Sequence, residues 1–370
     1  MIEYGGTQKV MFSLASYLKS KGSNVVIVTM YSSETMIQLF QKKYGVSIYN
    51  LRMKDSLIDS YNIFKIIRGC IRLYRIIRSK NINVIQTFGI YSNIIGIPIA
   101  YISKVDHRLG SHRNPPYIYS KHIRLLDKII CKSRLTSKLL CVSNEIKNYC
   151  INKQSIDINK VLLIPNGVEI NNNKLSVNEI QKLKAELQIS SKQTIITTVA
   201  RFTEQKNYIM YIDVIKSISN MIPNILFLFV GNGRLQTKIK EQIDLLDLSN
   251  SILIINNCYD VRKILLISDI FVLPSKWEGM SNALLEAMSV GLPTISFDIC
   301  PNKELIIDNE TGVLAESFDS NSLEEKLYTL LNDSKLREKI RNNSMSFIKK
   351  SYSDKIIFST YYKLYLSLFD

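Results

Sequence analysis

Two glutamates eight residues apart, Glu278 and Glu286, flank a change of pattern in the chain. An apolar run over 270–275 ends in Pro274–Ser275, passes through the turn Lys276–Gly279 and enters a helical pattern near Ser281–Asn282. A helix start presents free backbone N–H groups and partial positive charge, which suits a phosphate. Glu286 would lie more than a turn into that helix and Glu278 in the loop before it. The two carboxylates could then engage opposite parts of one elongated ligand, with phosphates between them. Spacing alone proves little: there are sixteen Glu in 370 residues, and Glu316 and Glu324 repeat the interval without the strand–turn–helix setting.

A second cluster follows the apolar run 194–200 and contains Arg201 and Lys206. Cations at the carboxyl end of a strand fall where ligands bind in open α/β sheets. A planar guanidinium fork and a mobile ammonium suit a diphosphate, although ordinary loop cations look the same. Gly231–Asn232–Gly233 follows the next apolar run and would allow a ligand close to the backbone. No Asp-x-Asp occurs, so a metal clamp on a diphosphate lacks its usual ligands. No metal and no cofactor are expected. The six Cys form no C-x-x-C, and the three His (107, 112 and 122) lack zinc-ligand spacing and Cys neighbours. The cysteines read as small buried hydrophobes in a reducing cytoplasm.

These loops need a scaffold, and the chain supplies the pattern of one. Strand-sized, β-branched runs at 24–29, 46–51, 84–88, 139–143 and 161–165 alternate with helical patterns such as 8–20 and 62–79. The second half repeats the alternation at 194–200, 225–231, 251–256, 270–275, 293–298 and 312–316. Near-continuous apolar strands separated by helices imply parallel sheets covered on both faces. The expected fold is α/β, two doubly wound domains facing each other across a cleft. Residues 1–165 would form the first domain, 166–353 the second, and 354–370 a helix packing across the boundary. Pro165–Asn166–Gly167 marks the hinge. Such a sheet normally opens with a central strand before a glycine turn and a helix. Gly5–Gly6 and the helix are present with only four residues before them, so the first strand of the first domain is expected to be missing.

Taken together, these segments resemble the retaining nucleotide-sugar glycosyltransferases of family 4, with the GT-B fold. The strongest stretch is V-L-P-S-K-W-E-G-M-S-N-A-L-L-E-A-M-S-V-G-L-P, residues 272–293. Gly5–Gly6–Thr7–Gln8, Pro165–Asn166–Gly167–Val168, Arg201 with Lys206–Asn207, and Val230–Gly231–Asn232–Gly233 support it. The resemblance implies that Arg201 and Lys206 hold the donor diphosphate and that Glu286 holds the ribose. It places Glu278 on the donor sugar, the backbone of Met280, Ser281 and Asn282 on the phosphates, and Gly231 and Gly233 beside the donor. Gly5 and Gly6 would approach sugar and acceptor. His112 and Arg113, in L-G-S-H-R-N-P-P, would lie on the acceptor side, although a surface-loop His is the plainer reading of His112. No carboxylate nucleophile is identifiable, and the resemblance favours substitution on one face of the sugar.

Charge is lopsided. Residues 1–165 carry 25 Lys+Arg against 8 Asp+Glu, whereas residues 166–370 carry 23 against 24. A polyanion partner therefore belongs to the first half. Lys65, Arg68, Arg72 and Arg75 recur at helical spacing beside Ile67, Ile71 and Tyr74, a pattern that could lie on an anionic membrane. The uncharged stretch 81–103 is interrupted by Asn, Gln, Gly and Pro and reads as a strand and a buried helix, not a span. No secretory signal and no nucleic-acid module are visible. The reading is a cytoplasmic, membrane-peripheral glycosyltransferase of bacterial surface-polysaccharide synthesis. It would use a UDP-linked sugar and a glycan or lipid-linked acceptor. The alternatives are a nucleotide-sugar epimerase of the same fold and an inactive nucleotide-sugar-binding protein.

Overall fold

A computed structural model of the chain describes residues 5–53, 63–171, 173, 175–256, 258 and 260–370. Residues 1–4, and Asn62 at the expected start of the second helix, lie outside that set. The chain divides into two compact units, Met1–Gly167 with Lys355–Asp370, and Val168–Asp354.

The first unit begins with α1 (Gly6–Ser20), β1 (Val26–Thr29), α2 (Glu34–Tyr44) and β2 (Ser47–Asn50). Next come α3 (Ile63–Ser79), β3 (Val84–Gln86), α4 (Ile90–Ile102) and β4 (His107–His112). It continues through α5 (Lys121–Lys132), β5 (Lys138–Cys141), α6 (Asn144–Asn152) and β6 (Val161–Leu163). The strands form two parallel ladders, β1-β2 and β3-β4-β5-β6. Among the described residues no strand joins them; the break falls between β1 and β3, and all three residues of β3 are only half-buried. Helix α1 serves both ladders. Phe12 and Ala15 pack with Ile27, Ile48 and α2, whereas Val10, Leu14 and Leu18 pack with Leu140, Ile164 and a helix from far along the chain.

Strand β4 escapes the sequence pattern. Its residues H-R-L-G-S-H are not an apolar run, yet it is paired on both sides, by β3 and β5. Polar side chains are tolerated there because they find partners. Arg108 Nε donates to the Leu135 carbonyl (2.6 Å), and Ser111 and His112 enter a buried network described below. The stretch 81–103 resolves into β3 and α4, and no helix among the described residues is long and apolar enough to cross a membrane.

The second unit runs α7 (Val177–Glu186), β7 (Thr194–Val199), α8 (Tyr208–Met221), β8 (Ile225–Val230), α9 (Gln236–Leu245) and β9 (Ile252–Ile255). It continues with α10 (Val261–Leu266), β10 (Ile270–Leu273), α11 (Asn282–Ser289), β11 (Thr294–Phe297) and α12 (Cys300–Lys303). The last elements are β12 (Val313–Ala315), α13 (Ser320–Asn332) and α14 (Ser334–Ser351). All six expected strands form, each trimmed at one or both ends. They make one parallel sheet in the order β12-β11-β10-β7-β8-β9. Strand β8 is buried at every position, with Phe227 and Phe229 against Tyr208 and Tyr211 of α8. The final helix, α15 (Asp354–Leu366), belongs to the first unit, where Ile357, Phe358 and Tyr361 bury against α1, Leu140 and Ile164.

Candidate active site

In the second unit the chain adds β8 and β9 on one side of β7, then returns to place β10 on the other. Ligands bind outside the carboxyl ends of strands at such a switch point. The loops after β7 and β10 meet there. Lys276 N donates to the Gln205 carbonyl (2.8 Å), and Gln205 Nε2 donates to the Trp277 carbonyl (2.7 Å). Lys206 of the first loop donates to Glu278 of the second in an ion pair whose side chains are both largely buried. Residues 72 apart in sequence thus share one site. Arg201, at the end of β7, is exposed, and its guanidinium has no partner among the described residues.

Helix α11 starts at the same edge. Ser281 is its N-cap and accepts from Leu284 N (3.3 Å), leaving the first-turn N–H groups of Asn282 and Ala283 without intrahelical acceptors. Glu286 is half-buried four residues after Asn282, so the two share a helix face. Met280 is buried, which leaves its backbone as the part able to meet a ligand. Four further polar atoms in these loops are buried without a hydrogen-bond partner: Thr203 Oγ1, Ser275 Oγ, Trp277 Nε1 and Asn282 Oδ1. Buried polar groups are normally paired, so their clustering marks a place that a polar ligand would complete. Of these, Thr203, Ser275 and Trp277 are not singled out by sequence. Their position at strand ends is the signal that could have found them.

The glycines after β8 lie against protein backbone. A Cβ on Gly231 would run into the Ala200 carbonyl oxygen, and one on Gly233 would lie 2.5 Å from the Phe202 carbonyl oxygen. Phe202 N also donates to the Asn232 carbonyl (2.8 Å). These glycines let the β7 and β8 loops pack together; the close neighbour is protein backbone. Glu316 and Glu324, which repeat the eight-residue interval, lie elsewhere. Glu316 is exposed after β12, and Glu324 of α13 accepts from Ser217 of α8.

In the first unit Gly5 is the N-cap of α1 and Gly6 its first residue, half-buried and exposed respectively. His112 is not on a surface loop. It ends β4 and is 1% exposed, with Nε2 2.8 Å from Asp127 Oδ2 of α5. Burial pulls the imidazole pKa down, but the Asp127 carboxylate more than offsets this and holds it above its ordinary value. Arg113 is buried too. It donates to Asn166 and lies over the Phe88 ring, with Tyr361 Oη of α15 at 3.4 Å. These contacts fix β4 and α15 within the unit, while Arg113 Nε stays buried without a hydrogen-bond partner.

Residues 179–347 match the profile described as Glycosyl transferases group 1, and residues 4–172 match Glycosyltransferase Family 4. An Escherichia coli UDP-Gal:alpha-D-GlcNAc-diphosphoundecaprenol alpha-1,3-galactosyltransferase is 29% identical over 297 residues, 78% of this chain and 76% of that protein. A Campylobacter jejuni N,N'-diacetylbacillosaminyl-diphospho-undecaprenol alpha-1,3-N-acetylgalactosaminyltransferase is 25% identical over 90% of each chain. Among solved structures, Anabaena HepE in complex with UDP and glucose superimposes with a TM-score of 0.86 at 16% identity, over 99% of this chain and 97% of that one. The two profiles follow one another along the chain and fall on the two units in turn. The chain belongs to the family 4 glycosyltransferases, with the GT-B fold of two Rossmann-like units.

Proposed function

We propose that this glycosyltransferase moves a sugar from a UDP-linked donor to a lipid-linked acceptor, with retention, in bacterial surface-polysaccharide synthesis. The observation that carries the reading is the meeting of Lys206, Glu278 and the α11 N-terminus at the sheet's switch point. The Escherichia coli and Campylobacter jejuni relatives both act on diphosphoundecaprenol-linked sugars, which supports the choice of acceptor.

In this reading the donor diphosphate lies at the α11 N-terminus with Lys206 and Arg201, which stabilise the departing charge. Glu286 holds the ribose, and Glu278, positioned by its ion pair with Lys206, orients the transferred sugar. The bond from the anomeric carbon to the diphosphate oxygen breaks. The acceptor oxygen bonds on the same face, and its proton passes to the departing phosphate. No metal has a part in this scheme. Gly5 and Gly6 are assigned to the acceptor side.

Transfer from UDP-, GDP- and ADP-sugars to a diphospho-lipid acceptor, with the product anomer read by NMR, tests the proposal directly. UDP should raise the thermal midpoint more than GDP or ADP, because a ligand of the native state stabilises it. Glu286→Gln should weaken donor binding by about tenfold, the scale of one charge-assisted hydrogen bond. Glu316→Gln and Glu324→Gln should be silent in the same assay. Equal effects at all three positions would remove the donor-site assignment; an inverted product would remove retention.

The first unit carries the membrane part of the proposal. Helix α3 buries Gly69, Leu73 and Ile77 and leaves Ile63, Phe64, Ile67, Ile71 and Tyr74 exposed among Arg68, Arg72, Arg75 and Arg78. On α5, Leu125, Leu126 and Ile129 are exposed beside Lys121 and Lys128, and α4 packs against both helices. Apolar side chains ringed by cations match the interface of an anionic bilayer on the cytoplasmic side. Vesicles containing anionic lipid should sediment the protein, and salt should release most of it. Equal recovery with neutral vesicles would overturn the electrostatic attachment.

A further inference from the structure

The network around His112 has the make-up of a metal site. The parallel register of β4 and β5 sets His112 beside Cys141, and α6 brings Cys150 onto the same spot. His112 Nδ1 is 3.2 Å from Cys150 Sγ, Cys150 Sγ is 3.9 Å from Cys141 Sγ, and all three donor atoms lie within 4.8 Å of one another. All three residues are buried. A tetrahedral zinc ion with ordinary Zn–S and Zn–N bonds holds its donors about 3.5–3.8 Å apart, so small shifts would seat one here.

The surroundings supply what a ligating histidine needs. Its other nitrogen, Nε2, faces Asp127 Oδ2, so that once Nδ1 gives up its proton the neutral ring keeps Nε2–H on the carboxylate and turns the Nδ1 lone pair toward the two sulfurs. The second Asp127 oxygen accepts from Asn93 Nδ2 (2.9 Å) and lies 3.5 Å from Cys131 Sγ. Asn93 Oδ1 in turn accepts from Ser111 N (3.1 Å). A buried carboxylate–imidazole pair alone would not require two thiols converging on the imidazole's free nitrogen. A divalent ion offsets the charge of two thiolates, and the Asp127 carboxylate beside them is held by His112 and Asn93.

We propose that His112 Nδ1, Cys141 Sγ and Cys150 Sγ bind one Zn²⁺ that staples β4, β5 and α6 together. Two thiol protons leave as the ion binds. Among the described residues no side chain fills the fourth position, which is left to a small exogenous ligand.

The test is metal content of the full chain, purified without chelator and also unfolded, stripped and refolded with zinc. About one zinc per chain should survive gel filtration, falling below about 0.1 in Cys141→Ser and Cys150→Ser, since each removes a ligand. Cys70→Ser and Cys258→Ser, at the two half-buried thiols outside the cluster, should retain full content. Should the cluster variants fail to fold, cobalt substitution of the unmutated chain decides. Tetrahedral visible bands with a thiolate-to-cobalt charge-transfer band support the site. Folded protein that holds no zinc by either route overturns it, as does a cobalt spectrum without the thiolate band, or full zinc retention in folded Cys141→Ser.

Discussion

Lys206→Ala should lose roughly 10²–10³ in turnover at saturating donor, the cost of removing one preorganised contact to developing charge. It should also destabilise the second unit, contrary to what a purely ligand-facing lysine would do. Glu278 is only 6% exposed, and the substitution strands its carboxylate without its cation. Removing one partner of a buried pair costs about 3–5 kcal/mol when the other stays ionised, and less where the carboxyl takes up a proton instead. The double variant Lys206→Ala/Glu278→Gln separates the two effects. Without a stranded charge it should recover most of the stability and none of the turnover. Full activity in the single variant would remove the diphosphate role; unchanged stability would show that the ion pair contributes nothing to the unliganded protein.

Gly231→Ala should be the most damaging single methyl group in the second unit. Its Cβ would collide with the Ala200 carbonyl oxygen, and the backbone there cannot swing aside as a side chain would. Alanine at this point forces β7 and β8 apart where they are paired through Val199 and Val230. The expected loss is about 2–4 kcal/mol, a fall in thermal midpoint of roughly 5–15 °C for a unit of this size. Gly22→Ala is the comparison. Gly22 has φ +85°, and a methyl group added there would meet nothing within 4 Å, so only backbone strain is felt, about 1 kcal/mol. Similar midpoints for the two variants would show that the Gly231 contact relaxes freely.

The second unit is legible in the sequence because its strands are buried on both faces and its loops are punctuated by Pro and Gly. Glu278 and Lys206 are each visible as strand-end residues. Their pairing is not, since it depends on β10 returning beside β7 rather than extending the sheet past β9. The first unit is harder to read at β4. Its polar letters hide a strand whose side chains are satisfied by distant partners, such as Asp127 for His112. The same non-local geometry hides the thiols around His112: Cys141 arrives through strand register and Cys150 through the helix that follows, so no short-range motif records them. Gly231 and Gly233 are legible as glycines that matter, but the sequence does not distinguish a ligand from a neighbouring loop as the thing they make room for.

Arg113 and Tyr361 touch across 248 residues of sequence, and Gln86 and Tyr365 across 279. The whole second unit is encoded between the parts of the first. During synthesis on a ribosome, the second unit is continuous and can close on itself as soon as residue 354 has emerged. The first unit cannot, although most of it is made earlier. Until α15 follows, the apolar seat formed by Val10, Leu14, Leu18, Leu140 and Ile164 stays open to solvent and to other chains. The usual order, in which the N-terminal domain finishes first, is therefore reversed for its final step. A nascent chain arrested before residue 354 should expose that seat to chaperones, and release of the last helix should bury it.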